Sequence, residues 1–178
     1  IDYLLLMKER SHLKIVCETD PLTGLLNRRG METYIRSRHY QWTVIACIFD
    51  IDDFKKYNDT YGHEAGDRCL LEVTECLGNM VEGRDCIVMR YGGEEFVALF
   101  FSDDVQYVML CVDECMRDLA ARRLKSGEGA THGYVTLSGG LAVSGEHPRR
   151  MDDYYKLIAE ADAKLYAAKE SGKQQVLY

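Results

Sequence analysis

The chain has 178 residues, 47% of them hydrophobic and 29% charged, with a formal net charge of −7, which suits one domain with its own core. That acidity excludes the broad basic footprint of a DNA- or RNA-binding protein, and no run approaches the roughly 18 apolar residues of a membrane span. An acidic protein that handles a phosphorylated ligand has to concentrate its cations locally or recruit a metal.

Residues 1–18, IDYLLLMKERSHLKIVCE, have helical spacing, with Leu6 and Leu13 seven apart. They read equally as the end of a coiled coil arriving from upstream and as an amphipathic helix folded onto the domain. The chain opens on Ile1 rather than Met and carries no signal peptide, which reads as a piece of something longer. TDPLTGLLNRRG follows, turn-rich with Pro21 and Gly24, and leads into a helix over 28–38. WTVIACIF (42–49) is a continuous apolar run of strand length, as expected of a strand buried on both faces. Polarity then rises abruptly in DIDDFKKYNDTYGHEAGD, and a helix is expected over 63–80.

Two apolar runs, CIVMRY and FVALFF, flank Gly92 and Gly93. They read as a β-hairpin whose two-residue primed turn uses glycine's access to positive φ. A turn does not explain Glu94 and Glu95, and both a solvated turn and a metal or acid/base site stay open. An amphipathic helix is expected over 103–123, a flexible connector with three glycines over 125–133, a strand over 134–143, a long helix over 151–172 with Gly172 as its stop, and a terminal strand in QQVLY. Strands and helices alternate around one antiparallel hairpin, which predicts a mixed central sheet with helices packed on it, an α/β (α+β) domain. The seven cysteines include no CxxC pair and read as free, reduced, mostly buried thiols of a cytoplasmic domain.

The chemistry gathers at the end of the first strand. Asp50 fits a ligand for a hard cation such as Mg²⁺, which takes one or two carboxylates together with substrate phosphates, provided the hairpin acid lies beside it. Asp52 and Asp53 fit a solvated, helix-initiating turn better. Lys55 and Lys56 follow at once, while Lys169 and Lys173 close the last helix four residues apart on one face. Those two read as helix-dipole partners, or as phosphate clamps if that helix end reaches the same cleft.

Five segments stand in the order and spacing of the GGDEF family: DPLTGLLNRR (20–29), FDIDDFKKYNDTYGHEAGD (49–67), RYGGEEF (90–96), VTLSGGLA (135–142) and ADAKLYAAKESGK (161–173). The chain closely resembles a bacterial diguanylate cyclase domain over residues 19–178, which leaves 1–18 as an N-terminal signalling helix.

The resemblance implies a palm-like fold similar to adenylyl cyclases and polymerase palms. It also implies synthesis of cyclic di-GMP from two GTP molecules across a homodimer of half-sites, under an upstream sensory domain. By similarity, Asp50, Glu94 and the Ile51 carbonyl are metal ligands for Mg²⁺, with Mn²⁺ as the alternative ion, and Glu95 is a further metal contact or a base for the 3′-hydroxyl. Asn58 and Asp67 match guanine-reading positions. Lys55, Lys169 and Lys173 match triphosphate contacts, helped by backbone amides at Asp53 and Phe54, and Gly92 and Gly93 let the nucleotide approach the turn.

Two departures stand out. Lys173 and Gln174 replace the family's arginine and asparagine, and lysine cannot form a bidentate fork on phosphate. Gly83 and Cys86 occupy the two ends of the RxxD product-inhibition motif, with Arg84 and Asp85 out of register, so feedback through that site is expected to be absent. The competing readings are a degenerate GGDEF module that senses GTP or cyclic di-GMP and a palm of adenylyl cyclase or polymerase type. The retained acids count against the first, and Asn58 with Asp67 against the second.

Overall fold

The computed structural model describes residues 17–37 and 42–178; the helix expected over 1–18 therefore lies almost wholly outside the described residues. The elements run α1 (Arg28–Arg36), β1 (Val44–Ile51), α2 (Phe54–Tyr61), α3 (His63–Val81), β2 (Cys86–Arg90), β3 (Glu95–Phe101), α4 (Val105–Arg122), β4 (Leu137–Val143), α5 (Met151–Glu170) and β5 (Val176–Leu177). The sheet order is β2-β3-β1-β4-β5. Its pairs are antiparallel except β4 with β5. Among the described residues no helix is long and apolar enough to cross a membrane.

The unbroken apolar run predicts a strand covered on both faces, and β1 is buried along its whole length. Because successive side chains alternate, Ile45, Cys47, Phe49 and Ile51 join one core layer under α3 and α4. Val44, Ala46 and Ile48 join the other, under α1 and α5. β3 splits the same way, Phe96, Ala98 and Phe100 against Val97, Leu99 and Phe101. The alternation places Asp50 on the α5 side of the sheet, directly opposite Glu95 in the β1–β3 register.

Four expectations need correcting. The polar stretch after β1 forms a helix of its own, α2, which buries only Phe54 and so carries no apolar stripe to read. The glycine-rich 125–133 segment is docked rather than flexible. Gly127 lies so close to the α2 backbone that a Cβ would overlap the Lys56 carbonyl, Lys56 Nζ donates to the Gly129 carbonyl at 2.8 Å, and Glu128 N donates to Thr60 Oγ1 at 2.8 Å. The turn between β2 and β3 is not a primed two-residue turn. Arg90 pairs with Phe96, Tyr91 N and Gly92 N both donate to the Glu95 carbonyl at 2.8 and 3.3 Å, and neither Gly92 nor Gly93 has positive φ. Finally, α5 ends at Glu170, so Lys173 does not share a helical face with Lys169; it lies beyond Gly172, the expected stop, in a left-handed conformation.

The seven cysteines are free, with five buried, Cys86 half-buried and Cys17 exposed. Burial pushes the buried Cys69 and Cys115 thiols up to about 12, which leaves them protonated and unreactive at neutral pH.

α5 lies directly on β4, and glycine makes the approach possible. A Cβ on Gly140 would overlap the Ala161 carbonyl and Leu165 amide of that helix, backbone atoms that cannot rotate away. Gly140→Ala is therefore expected to destabilise the domain by about 3 kcal/mol, measured by urea denaturation. A loss below half of that would mean that α5 can slide on the sheet.

Candidate active site

The end of β1 gathers three acids with three separate fates. Asp52 is 7% exposed and its carboxylate accepts from Thr136 Oγ1 and Ser138 Oγ, each at 2.7 Å, and from the Gln174 amide at 3.1 Å. It is a structural staple, not the solvated turn residue expected. Asp53 precedes α2 in a left-handed conformation, φ 54°, and makes no side-chain cap. Its carboxylate instead pairs with Lys56 at 2.9 Å and Lys173 at 2.8 Å and accepts from Thr131 N and Oγ1. Burial alone would raise its pKa, but hydrogen bonds from Lys173, Lys56 and Thr131 hold the carboxyl well below the usual range.

Asp50 is the unsatisfied one. It is 8% exposed, and Lys169 Nζ lies 2.7 Å from Oδ1. That contact is an ion pair, and among the described residues no other donor reaches the buried Oδ1. Burial pushes its pKa up to about 6, with Lys169 acting against the rise and Glu94 and Glu95 adding to it.

The loop carrying those glutamates is held at both ends. Arg90 Nε and its terminal nitrogen donate to the Gly93 carbonyl at 3.0 and 2.7 Å, while its other terminal nitrogen pairs with Asp20 at 3.1 Å. Asp20 is fixed in turn by Thr23 N and Oγ1 at 2.8 and 2.7 Å. The Glu94 carbonyl accepts from Ile51 N at 3.4 Å, which sets Glu94 beside the end of β1. A Cβ on Gly92 would meet the Glu95 carboxylate, the far end of a side chain that can turn aside.

Asn58 lies one turn into α2, and its Oδ1 is buried with no hydrogen-bond partner. A Cβ on Gly66 of α3 would overlap that oxygen, so Asn58 and the exposed Asp67 are brought to one corner. Lys55 is exposed beside them on α2.

The expected residues thus fall into neighbouring groups, Asp50, Ile51, Glu94, Glu95 and Lys169 at the strand end, Asp53, Phe54 and Lys173 around the start of α2, where Thr131 joins them, and Lys55, Asn58 and Asp67 farther along α2 and α3. Sequence reasoning passed over Asp20, Arg90 and Thr131 and read Asp52 as a turn acid. Asp-Pro-Leu-Thr is an Asx-turn signature and points to the first of these; Thr131 has no local signal.

Metal chemistry fits this set. A buried carboxylate oxygen without a hydrogen-bond partner, beside a second acid and a backbone carbonyl, is a hard-oxygen donor set. Among the described residues no three His, Cys, Asp or Glu side chains converge on one point, so an ion here would complete its shell with backbone and substrate oxygens.

A model of the GGDEF domain of diguanylate cyclases matches residues 17–175. The chain belongs to the GGDEF family. The diguanylate cyclase DosC of Escherichia coli is 34% identical over 162 residues, 88% of this chain and 34% of that protein. The cyclic di-GMP phosphodiesterase PdeR of the same species is 34% identical over 171 residues, 94% of this chain and 25% of that protein. The chain thus spans a quarter to a third of the length of these curated relatives. Among solved structures, the coiled coil and GGDEF domain of DgcB from Caulobacter crescentus, in complex with c-di-GMP, superposes with a TM-score of 0.81 at 27% identity, covering 97% of this chain and 92% of that one. The α+β, palm-like GGDEF fold expected from the sequence is thereby shown.

Asp50 couples the site to pH. Its folded pKa of about 6 lies above the ordinary 3.8, so the folded chain holds the proton longer than the unfolded chain. This group's contribution to stability is therefore fully present below about pH 4 and lost as pH rises through 6. Asp50→Asn is expected to gain on wild type by about 2 kcal/mol between pH 4 and pH 8 in chemical denaturation. A pH-independent difference would remove the buried-carboxylate account.

Proposed function

We propose that this GGDEF domain is an active diguanylate cyclase, joining two GTP molecules into cyclic di-GMP with release of two pyrophosphates. The observation that carries the reading is Asp50. A carboxylate is kept buried at a cost in stability, with the Lys169 ammonium as its one side-chain partner among the described residues, directly opposite Glu95 and next to Glu94. A fold that needed only stability would not retain it. A relative named as a cyclic di-GMP phosphodiesterase shares this domain, so family membership alone does not fix synthesis; the retained acids are what support it.

Asp50, Glu94 and the Ile51 carbonyl would hold the ion. Bound there, Mg²⁺ or Mn²⁺ supplies charge to the phosphate oxygens and favours ionisation of the attacking hydroxyl. The chain's own residues do the rest. Lys169 and Lys173, with Lys55 and the amides of Asp53 and Phe54, take the triphosphate and orient it for departure of pyrophosphate. Asp67 accepts from the guanine N1–H and exocyclic amine, a donor pair adenine lacks, while Asn58 offers its buried Oδ1. Glu95 receives the proton of the 3′-hydroxyl as that oxygen bonds to the α-phosphorus of the facing nucleotide. Since each site holds one nucleotide, reaction requires a homodimer of half-sites, and an upstream sensory region in the longer protein would govern that encounter.

Feedback through the RxxD position has no support. Arg84 donates to the Met80 carbonyl at 2.7 Å and to Tyr107 Oη at 2.9 Å, so it caps α3 instead of offering a free guanidinium.

Incubation with GTP and Mg²⁺, on the domain alone and fused to a dimerising coiled coil, is expected to yield cyclic di-GMP by mass spectrometry. Glu94→Ala should abolish turnover with an unchanged circular dichroism spectrum. GTP binding without product from the forced dimer would instead favour the sensor reading. Gly66→Ala is expected to displace the Asn58 amide at little cost to the fold, because a side chain can rotate, and to weaken GTP binding about tenfold. Unchanged affinity in calorimetry would remove Asn58 from guanine recognition.

A further inference from the structure

The ion pair between Lys169 and Asp50 is unlike its neighbour between Lys173 and Asp53. Asp53 keeps Lys56 and Thr131 as partners whatever Lys173 does. Among the described residues, Asp50 Oδ1 has only the Lys169 ammonium, at 2.7 Å, as a partner. The two partners also differ in freedom. Asp50 is fixed in a fully buried strand; Lys169 stands in the last turn of α5 with its side chain 33% exposed, on a stem of four carbons that can swing away.

An ammonium and a divalent ion cannot both sit at contact distance from one carboxylate oxygen in a half-buried site, because their repulsion there is several times its value in water. We infer that Lys169 is an internal occupant of the cation position at Asp50: the ammonium holds the carboxylate until a metal ion displaces it, and the freed lysine then takes the triphosphate. The inference rests on the proposed reading of Asp50 as a metal ligand and goes beyond it, because it makes metal and nucleotide bind cooperatively through one side chain. Without the metal, a triphosphate meets a lysine already engaged and an acidic group, Asp50 with Glu94 and Glu95, that repels it. With the metal in place, that lysine is free and the acids are neutralised. The coupling is reciprocal, so nucleotide tightens metal binding by the same factor.

Mn²⁺ titrations followed by electron paramagnetic resonance at pH 8, on nucleotide-free protein, separate the outcomes. Lys169→Met is expected to bind Mn²⁺ about fivefold more tightly than wild type, and to lose most of the Mn²⁺-dependent gain in affinity for α,β-methylene-GTP. Lys169→Gln, polar but uncharged, is expected to behave alike. A purely structural role for Lys169 would not raise the affinity for metal. Mn²⁺ binding no tighter in either variant than in wild type overturns the inference. Asp50→Asn tests the reading beneath it. Wild-type Mn²⁺ affinity there removes the metal site itself, whereas loss there with unaltered affinity in Lys169→Met removes only the coupling.

Discussion

The buried carboxylate of Asp52 is the constraint on which the site depends. Its partners come from Thr136, just before β4, and Ser138 within it, and from the turn after α5, through the Gln174 amide. A buried carboxyl group is costly unless hydrogen-bonded, so two segments distant in sequence must converge on the end of β1. That convergence holds two consecutive residues, Lys173 and Gln174, in left-handed conformations that favour glycine, a local strain that persists where surrounding structure imposes it. Lys173 reaches Asp53 because Gln174 is anchored one residue on.

The same strand end shows how an acidic chain can present cations. Lys56 and Lys173 are paired with Asp53 of the β1–α2 turn and Lys169 with Asp50 at the end of β1, so the positive charge is positioned before any ligand arrives. Positioning of this kind lowers the ordering cost of binding. It also means that a phosphate must compete with carboxylates for those ammonium groups, and the balance is set residue by residue rather than by net charge. Asp53, with four interactions, is a permanent anchor. Asp50, with one, is not.

The parts of this arrangement that follow simple periodicities were legible in the sequence. The continuous apolar run gives β1 and its two-sided burial, and the abrupt polarity after it marks the strand end where Asp50 lies. The flanking apolar runs give the β2–β3 pair, but that β3 lies beside β1, which brings Glu94 to Asp50, was left open in the sequence. Other parts were not legible because they rest on single contacts between distant segments. α2 buries one side chain and leaves no stripe. The 125–133 segment is small and polar like a linker, yet it is held by backbone contacts to α2 that no local pattern encodes. Gly92 looked like a primed-turn glycine, yet it does not adopt positive φ. Asp52 and Asp53 look alike in sequence; only the register of β4 against β1 tells the staple from the anchor.

The edges of the sheet bear on how copies of the domain can meet. β5 contributes two residues, and on the other side Leu26 bridges to Met89 while Arg90 N donates to the Leu26 carbonyl at 2.9 Å. One margin is therefore too short to template another strand, and the other is partly covered by the chain's own N-terminal turn, two of the devices by which sheets resist unwanted pairing. Growth by strand addition, the usual route from a β-rich fold to aggregates, has little purchase here. A dividing line follows within the molecule: the sheet's margins are closed to company, and its strand ends, where the acids and lysines sit, are left as the sociable surface.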